Sequence, residues 1–124
     1  MELSEETQNK LVQFQQLQQQ VQYLSVQKYQ LDSQLKETEK ALEALKGLKT
    51  KKGEAAVFRS IGSLLVKVDD LAALKKELDE RKESQELRVR TLERQEKHMR
   101  DQQQELQNTL EKEIAKAEGN AGKK

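Results

Sequence analysis

Apolar residues recur along the first third of the chain at alternating spacings of three and four. The row consists of Phe14, Leu17, Val21, Leu24, Leu31, Leu35, Leu42 and Leu45, with Lys28 and Thr38 in the two intervening slots. This heptad repeat is typical of a helix that buries one narrow stripe against a partner helix. Ser4, followed by two glutamates, is a typical helix start, and Gly47 after Lys46 is a typical helix end. The pattern predicts a helix from about residue 4 to 46.

A second, weaker heptad row occupies the C-terminal half of the chain. Its members are Leu71, Leu78, Gln85, Leu92, Met99 and Leu106, flanked by Leu74, Val89, Leu110 and Ala117. Asp69 and Asp70 suit a helix start, and Gly119 soon after Lys116 suits a helix end. We therefore predict a helix from about 70 to 117, followed by a polar tail at 119–124. The chain contains no proline that would interrupt either helix.

The segment between the helices has a different composition. Val57 and Phe58 on one side, and residues 64–68 on the other, are β-branched or large and apolar, while Gly62 between them suits a tight turn. This predicts a β-hairpin from about 56 to 68. An isolated two-stranded hairpin is marginal in water, and this one would expose apolar side chains on both faces and two open edges. We expect it to pair with hairpins of other chains.

Each predicted helix has only one narrow apolar stripe, so the two helices need a partner. Folding them back on each other as an antiparallel coiled coil is the economical solution. Parallel association between chains is the alternative, and the insert disfavours it because the insert supplies a reversal of chain direction.

Composition supports this architecture and narrows the function. The chain has 124 residues, 36% of them charged and 34% hydrophobic, with two Phe, two Tyr and no Trp, which is too little to fill an ordinary globular core. The net charge of +1 argues against nucleic-acid binding. No stretch approaches the roughly 18 apolar residues of a membrane span, and the N-terminus is acidic and polar. We expect a soluble intracellular protein of a single domain, with no membrane contact.

Candidate chemistry is scarce. The chain has no cysteine, and its single imidazole, His98, lies beside the heptad position Met99, where a solvated helical side chain is expected. The phosphate-binding pattern G-x-x-x-x-G-K-[ST] is absent. We expect no catalytic residue, no metal and no cofactor.

If the helices fold back, apolar residues from the two chain-terminal helix ends meet. They are Leu11, Val12 and Phe14 on the first helix and Leu106, Leu110 and Ile114 on the second. Val12 and Ile114 stand next to the heptad row, which would leave apolar surface partly exposed. This surface either seals the end of the coiled coil or binds other apolar chains, since exposed apolar patches usually mark binding sites.

The order of these features resembles the prefoldin family, specifically β-class subunits of the archaeal type. The resemblance is carried by LVQFQQLQQQVQYLSVQKYQLDSQLKETEKALEAL, by the hairpin VFRSIGSLLVKVD and by LRVRTLERQEKHMRDQQQELQ. The most specific parts are FQQLQQQ, the central Gly62 and LERQE, in that order and at those separations.

The resemblance implies a mostly α-helical subunit: a long antiparallel two-helix coiled coil joined by a β-hairpin that assembles into an intersubunit β-barrel. It implies an ATP-independent cytoplasmic chaperone built as a hexamer of two α-type and four β-type subunits. The coiled-coil tips would hold unfolded polypeptides and deliver them to a group II chaperonin. Carried over by position, the oligomerisation residues are Val57, Phe58, Ile61, Gly62, Leu64, Leu65, Val66 and Val68, and the six apolar residues of the helix ends would contact the client.

A second class of function fits the same residues. The chain would then be a structural or adaptor coiled-coil protein whose hairpin joins a fixed assembly and which binds no unfolded chains.

Overall fold

The computed structural model describes residues 2–49 and 56–121. In chain order it contains helix α1 (Glu5–Lys49), strand β1 (Phe58–Ile61), strand β2 (Leu64–Lys67) and helix α2 (Leu71–Ala121). Two long helices with a two-stranded antiparallel hairpin between them are therefore confirmed.

Both helix starts are capped by the side chains that the sequence indicated. The backbone N–H of Thr7 donates to Ser4 Oγ at 3.1 Å, and that of Ala73 donates to Asp70 Oδ1 at 3.0 Å. Each cap satisfies one of the backbone donors that a helix leaves unpaired at its N-terminus. The two helices therefore begin where local chemistry predicted.

The predicted helix ends are wrong at both glycines. Helix α1 continues through Gly47 to Lys49, and helix α2 continues through Gly119 to Ala121. A glycine cap requires the left-handed backbone conformation, and among the described glycines only Gly62 has a positive φ. Helical glycine costs only about 1 kcal/mol relative to alanine, so the flanking residues carry the helix past it. Of the predicted tail, residues 122–124 lie outside the described residues.

The hairpin has the predicted position and a defined register. Phe58 pairs with Lys67, Arg59 with Val66, Ser60 with Leu65, and Ile61 with Leu64. The turn residues are Gly62, whose φ is 60°, and Ser63, whose φ is not positive, as in a type II′ turn. Pairing extends past the strands, since the N–H of Val68 donates to the carbonyl of Val57 at 2.8 Å.

The structure divides into two compact units. The terminal unit contains the chain up to Tyr29 together with the chain from Thr91 onward, and the hairpin unit contains Gln30–Arg90. Both long helices contribute to both units.

In the terminal unit, the two helices pair antiparallel. Thr7 contacts Glu113 and Ser25 contacts Glu96, so rising numbers on α1 meet falling numbers on α2. Val21, Leu24 and Leu110 are buried in this unit. Half-buried heptad residues extend the same seam: Phe14, Leu17, Leu92, Met99 and Leu106.

In the hairpin unit, Leu42, Leu45 and Leu78 form a buried cluster. Leu48, Val57, Leu71 and Leu74 pack against this cluster, so the base of the hairpin and the start of α2 share one core. The polar heptad residue Thr38 is buried at 5% exposure. Its hydroxyl donates to the carbonyl of Gln34 at 3.1 Å, which satisfies its hydrogen-bonding potential. Both predicted seams are thus the buried faces.

We expect Leu78→Ala to lower the free energy of unfolding by about 2–3 kcal/mol, because it leaves a cavity against Leu42 and Leu45. The measurement is urea unfolding followed by helical circular dichroism at a fixed protein concentration. Leu87→Ala is the matched control, since Leu87 on the same helix is 56% exposed. It should change stability by less than about 0.5 kcal/mol. Equal losses in the two variants would contradict the assigned core.

Candidate functional site

Half of the exposed large apolar side chains among the described residues lie on the hairpin. The exposed fractions are 55% for Phe58, 58% for Ile61, 66% for Leu64, 73% for Leu65 and 44% for Val66. Contiguous exposed apolar surface usually marks an interaction site. This hairpin is therefore the first candidate site.

The register decides which side chains share a face of the hairpin. Directly paired residues lie on the same face, so Ile61 and Leu64 share one face with Val66, while Phe58 and Leu65 lie on the other. Both faces thus expose apolar side chains, as the sequence predicted. The two-stranded sheet also leaves the outer edge of each strand unpaired within the described part of the chain.

An ion pair fixes the base of the hairpin to helix α2. The guanidinium of Arg59 donates two hydrogen bonds to Glu77, from Nη1 to Oε2 at 2.8 Å and from Nη2 to Oε1 at 3.0 Å. Hydrogen bonding from Arg59 lowers the pKa of Glu77, and the same bonds raise the pKa of Arg59. Planar two-point contacts of this kind fix orientation as well as distance. Sequence reasoning missed this pair, because nothing in the spacing of residues 59 and 77 indicates contact.

The second candidate site is the pair of helix ends in the terminal unit. Val12 is 53% exposed, whereas Leu110 is only 5% exposed. The other predicted residues are half-buried: Leu11, Phe14, Leu106 and Ile114. The contact between Thr7 and Glu113 lays the first segment of α1 alongside the last segment of α2. Leu110 therefore closes the seam, and the remaining five residues retain accessible apolar surface.

A polar clasp formed by Thr7, Lys10 and Glu113 joins these helix ends. The hydroxyl of Thr7 donates to Glu113 Oε2 at 2.7 Å, and the ammonium of Lys10 donates to the other carboxylate oxygen. Thr7 itself is buried at 5% exposure. The hydrogen bond from Lys10 lowers the pKa of Glu113 most, and the bond from Thr7 lowers it further. The same bond to Glu113 raises the pKa of Lys10. Sequence reasoning missed this clasp, since Glu113 lies more than 100 residues from Thr7 and Lys10 and no pattern links these polar residues.

Neither surface is accompanied by a metal-ligating cluster in the described part of the chain. Within residues 2–49 and 56–121, no three His, Asp or Glu side chains are arranged to hold a metal ion. His98 is exposed on α2. None of the described helices is long and apolar enough to cross a membrane. The hairpin and the helix ends both expose apolar surface that another polypeptide could contact.

Comparison with known proteins identifies the family. The family described as Prefoldin subunit matches residues 8–117, which include the hairpin and most of both helices.

The chain belongs to the prefoldin subunit family.

Individual relatives agree with this assignment to prefoldin. The chain is 42% identical over 105 residues to prefoldin subunit beta of Thermoplasma volcanium, covering 85% of this chain and 82% of the relative. It is 42% identical over 113 residues to prefoldin subunit beta of Archaeoglobus fulgidus, covering 88% of this chain and 94% of the relative. The crystal structure of the prefoldin beta subunit from Thermococcus strain KS-1 is similar, with a TM-score of 0.75 and 31% identity over 90% of this chain and 94% of that chain.

The clasp predicts a defined pH dependence for the stability difference between wild type and Glu113→Gln. Because the pKa of Glu113 is lowered, its stabilisation is present above the ordinary glutamate pKa and is lost as the pH falls through the lowered value. Because the pKa of Lys10 is raised, its stabilisation is present below the ordinary lysine pKa and is lost as the pH rises through the raised value. The difference in melting temperature should be largest near neutral pH. It should shrink as the pH falls below the ordinary glutamate pKa of about 4.3 and as the pH rises above the ordinary lysine pKa of about 10.4.

Glu118→Gln, at an exposed position on the same helix, is the control for this measurement. It should melt like wild type throughout the pH range. A Glu113→Gln difference that stays constant with pH would show that the clasp acts by shape and not by charge.

Proposed function

We propose that this chain is a subunit of an ATP-independent holdase chaperone. Its hairpin joins it to an α-type prefoldin subunit and to further copies of itself in an α2β4 hexamer. The terminal helix ends hold unfolded polypeptides and pass them to a group II chaperonin in the cytoplasm. The observation that carries this proposal is the hairpin, whose large apolar side chains are exposed on both faces in a chain of the prefoldin family.

Assembly through the hairpin is supported by its strand side chains, which are not buried within the single chain. Each strand has four residues, and every one of these eight side chains is exposed. Two such strands cannot bury enough apolar surface to be stable against water on both faces. Hairpins from neighbouring subunits would cover the faces and pair the open edges, and closure into a barrel would remove the edges altogether. Arg59 and Glu77 would hold each hairpin in a fixed orientation for that joining.

Client holding at the helix ends uses weak apolar contact. Val12 has the largest exposed fraction of the six residues, and Ile114 is half-buried on the opposing helix. Leu110 contributes by keeping the helices together. Several such contacts on one assembly act by effective concentration, so each contact stays weak enough to release the client without ATP. An open surface also suits varied clients better than a shaped pocket does.

The assembly step is tested with Leu65→Asp. Leu65 is 73% exposed, so the charge leaves the fold of the single chain intact but opposes burial in a joint. Native mass spectrometry of chains mixed with the α-type partner should show the hexamer for wild type and unassembled chains for the variant. Leu65→Met keeps the apolar surface and should assemble normally. A normal complex mass for Leu65→Asp would refute the hairpin as the joint.

The holding step is tested with the double variant Val12→Ser and Ile114→Ser in the assembled complex. We expect an unchanged complex mass and a roughly fivefold loss of potency in suppressing aggregation of chemically unfolded citrate synthase, since two of the apolar contacts in each subunit are removed. Leu87→Ser is the control, because Leu87 is 56% exposed but lies in the hairpin unit. Full holding by the double variant would contradict the assigned residues. If the wild-type complex holds no clients, the chain is a structural or adaptor subunit.

A further inference from the structure

Helix α1 carries an uncharged surface that starts at the helix-end site, at Val12, and extends well beyond it. The segment from Leu11 to Gln27 reads LVQFQQLQQQVQYLSVQ and contains no charged residue, in a chain that is 36% charged. Its exposed side chains are all Val, Gln or Tyr: Val12, Gln13, Gln15, Gln16, Gln18, Gln19, Gln20, Gln22, Tyr23 and Val26.

Only the α1 surface of the terminal unit lacks charged side chains over this stretch. The antiparallel stretch of α2 in the same unit exposes charged side chains of both signs: Arg94, Lys97, Arg100, Asp101 and Glu105. Helices of the same unit therefore present different surfaces to solvent. Glutamine is polar enough for a solvent-facing surface, so what distinguishes this face of α1 from that of α2 is its lack of charge.

Five of the exposed residues form one line along the helix. Val12, Gln16, Gln19, Tyr23 and Val26 follow spacings of four and three, so they share the face of α1 that points away from the seam. We call this line the neutral stripe. At 1.5 Å per residue it is about 20 Å long.

The apolar members of the neutral stripe are well exposed. Val12 is 53% exposed, Tyr23 64% and Val26 56%. The hydroxyl of Tyr23 accepts a hydrogen bond from Gln27 Nε2 at 2.8 Å. That bond ties the polar end of Tyr23 to its own helix, while the ring stays available for contact.

We infer that the neutral stripe binds uncharged segments of an unfolded polypeptide, an inference that rests on the proposed holdase function and assigns it a surface. A glutamine amide has the same donor and acceptor groups as a peptide bond, so it can pair with backbone groups that an unfolded segment leaves free. A folded helix has already paired those groups. Val12, Tyr23 and Val26 supply apolar contact between the amides. Because the stripe has no charge, binding desolvates no charged group on this chain and favours neither acidic nor basic partners.

The test places charge on the stripe in the complete complex formed with partner prefoldin subunits. One variant carries Gln16→Lys and Gln19→Lys, and a second carries Gln16→Glu and Gln19→Glu. Matched controls make the same changes at Gln95 and Gln102, which are exposed on α2 in the same unit. The readout is the complex concentration that halves light scattering from guanidinium-unfolded citrate synthase after dilution.

We expect both stripe variants to need roughly fivefold more complex, whichever sign is introduced, because each buries charge against the client. The α2 controls should stay within about twofold of wild type, and wild-type holding should change little between low and high salt.

Other outcomes overturn the inference in distinguishable ways. Holding that is unchanged in both stripe variants refutes the stripe while leaving the holdase function standing. Opposite effects of Lys and Glu would show capture by client charge and also refute it. A lighter complex on native mass spectrometry would show that the stripe contacts another subunit instead. If the wild-type complex suppresses no aggregation, the holdase function itself fails and the inference fails with it.

Discussion

One constraint governs this structure: each helix has a single apolar stripe, and neither helix can bury its stripe without the other. Leu42 and Leu45 pack against Leu78 only because the chain reverses direction between the helices. The same reversal lets Thr7 hydrogen-bond to Glu113. The seam is narrow, and the buried residues of the described chain retain some exposure, with none below 2%. Within each unit, the buried contacts are therefore spread along the paired helices instead of forming a fully buried central core.

The hairpin that reverses the chain cannot bury its own apolar side chains as the helices do, because its strands are exposed on both faces. Its base belongs to the core through Val57, and Arg59 ties it to Glu77, yet its strands stay exposed on both faces. The element required for pairing within the chain thereby becomes a surface suited to pairing between chains. Under the proposed function, this hairpin joins the chain to other prefoldin subunits, whose strands would pair its open edges.

In the terminal unit, polar and charged side chains link the two helices, whereas the outer face of α1 carries an uncharged stretch. Polar and charged contacts across the helices, from the clasp of Thr7, Lys10 and Glu113 to the contact of Ser25 with Glu96, hold the pair together at its margins. The outer face of α1 is left free of charge from Leu11 to Gln27. Under the proposed holdase function such a surface is an advantage, because a surface charge would select among clients by their sign.

The sequence by itself determined the two heptad seams, the caps at Ser4 and Asp70, and the hairpin around Gly62, because these depend on periodicity and on local backbone chemistry. It failed at Gly47 and Gly119, since a glycine permits a helix end without requiring one. Only the tertiary structure decided that Leu110 is buried where the helix ends meet, and that Arg59 reaches Glu77. Those outcomes depend on how residues distant in the chain align across the pair, and the spacing of residues within one helix carries no record of that alignment.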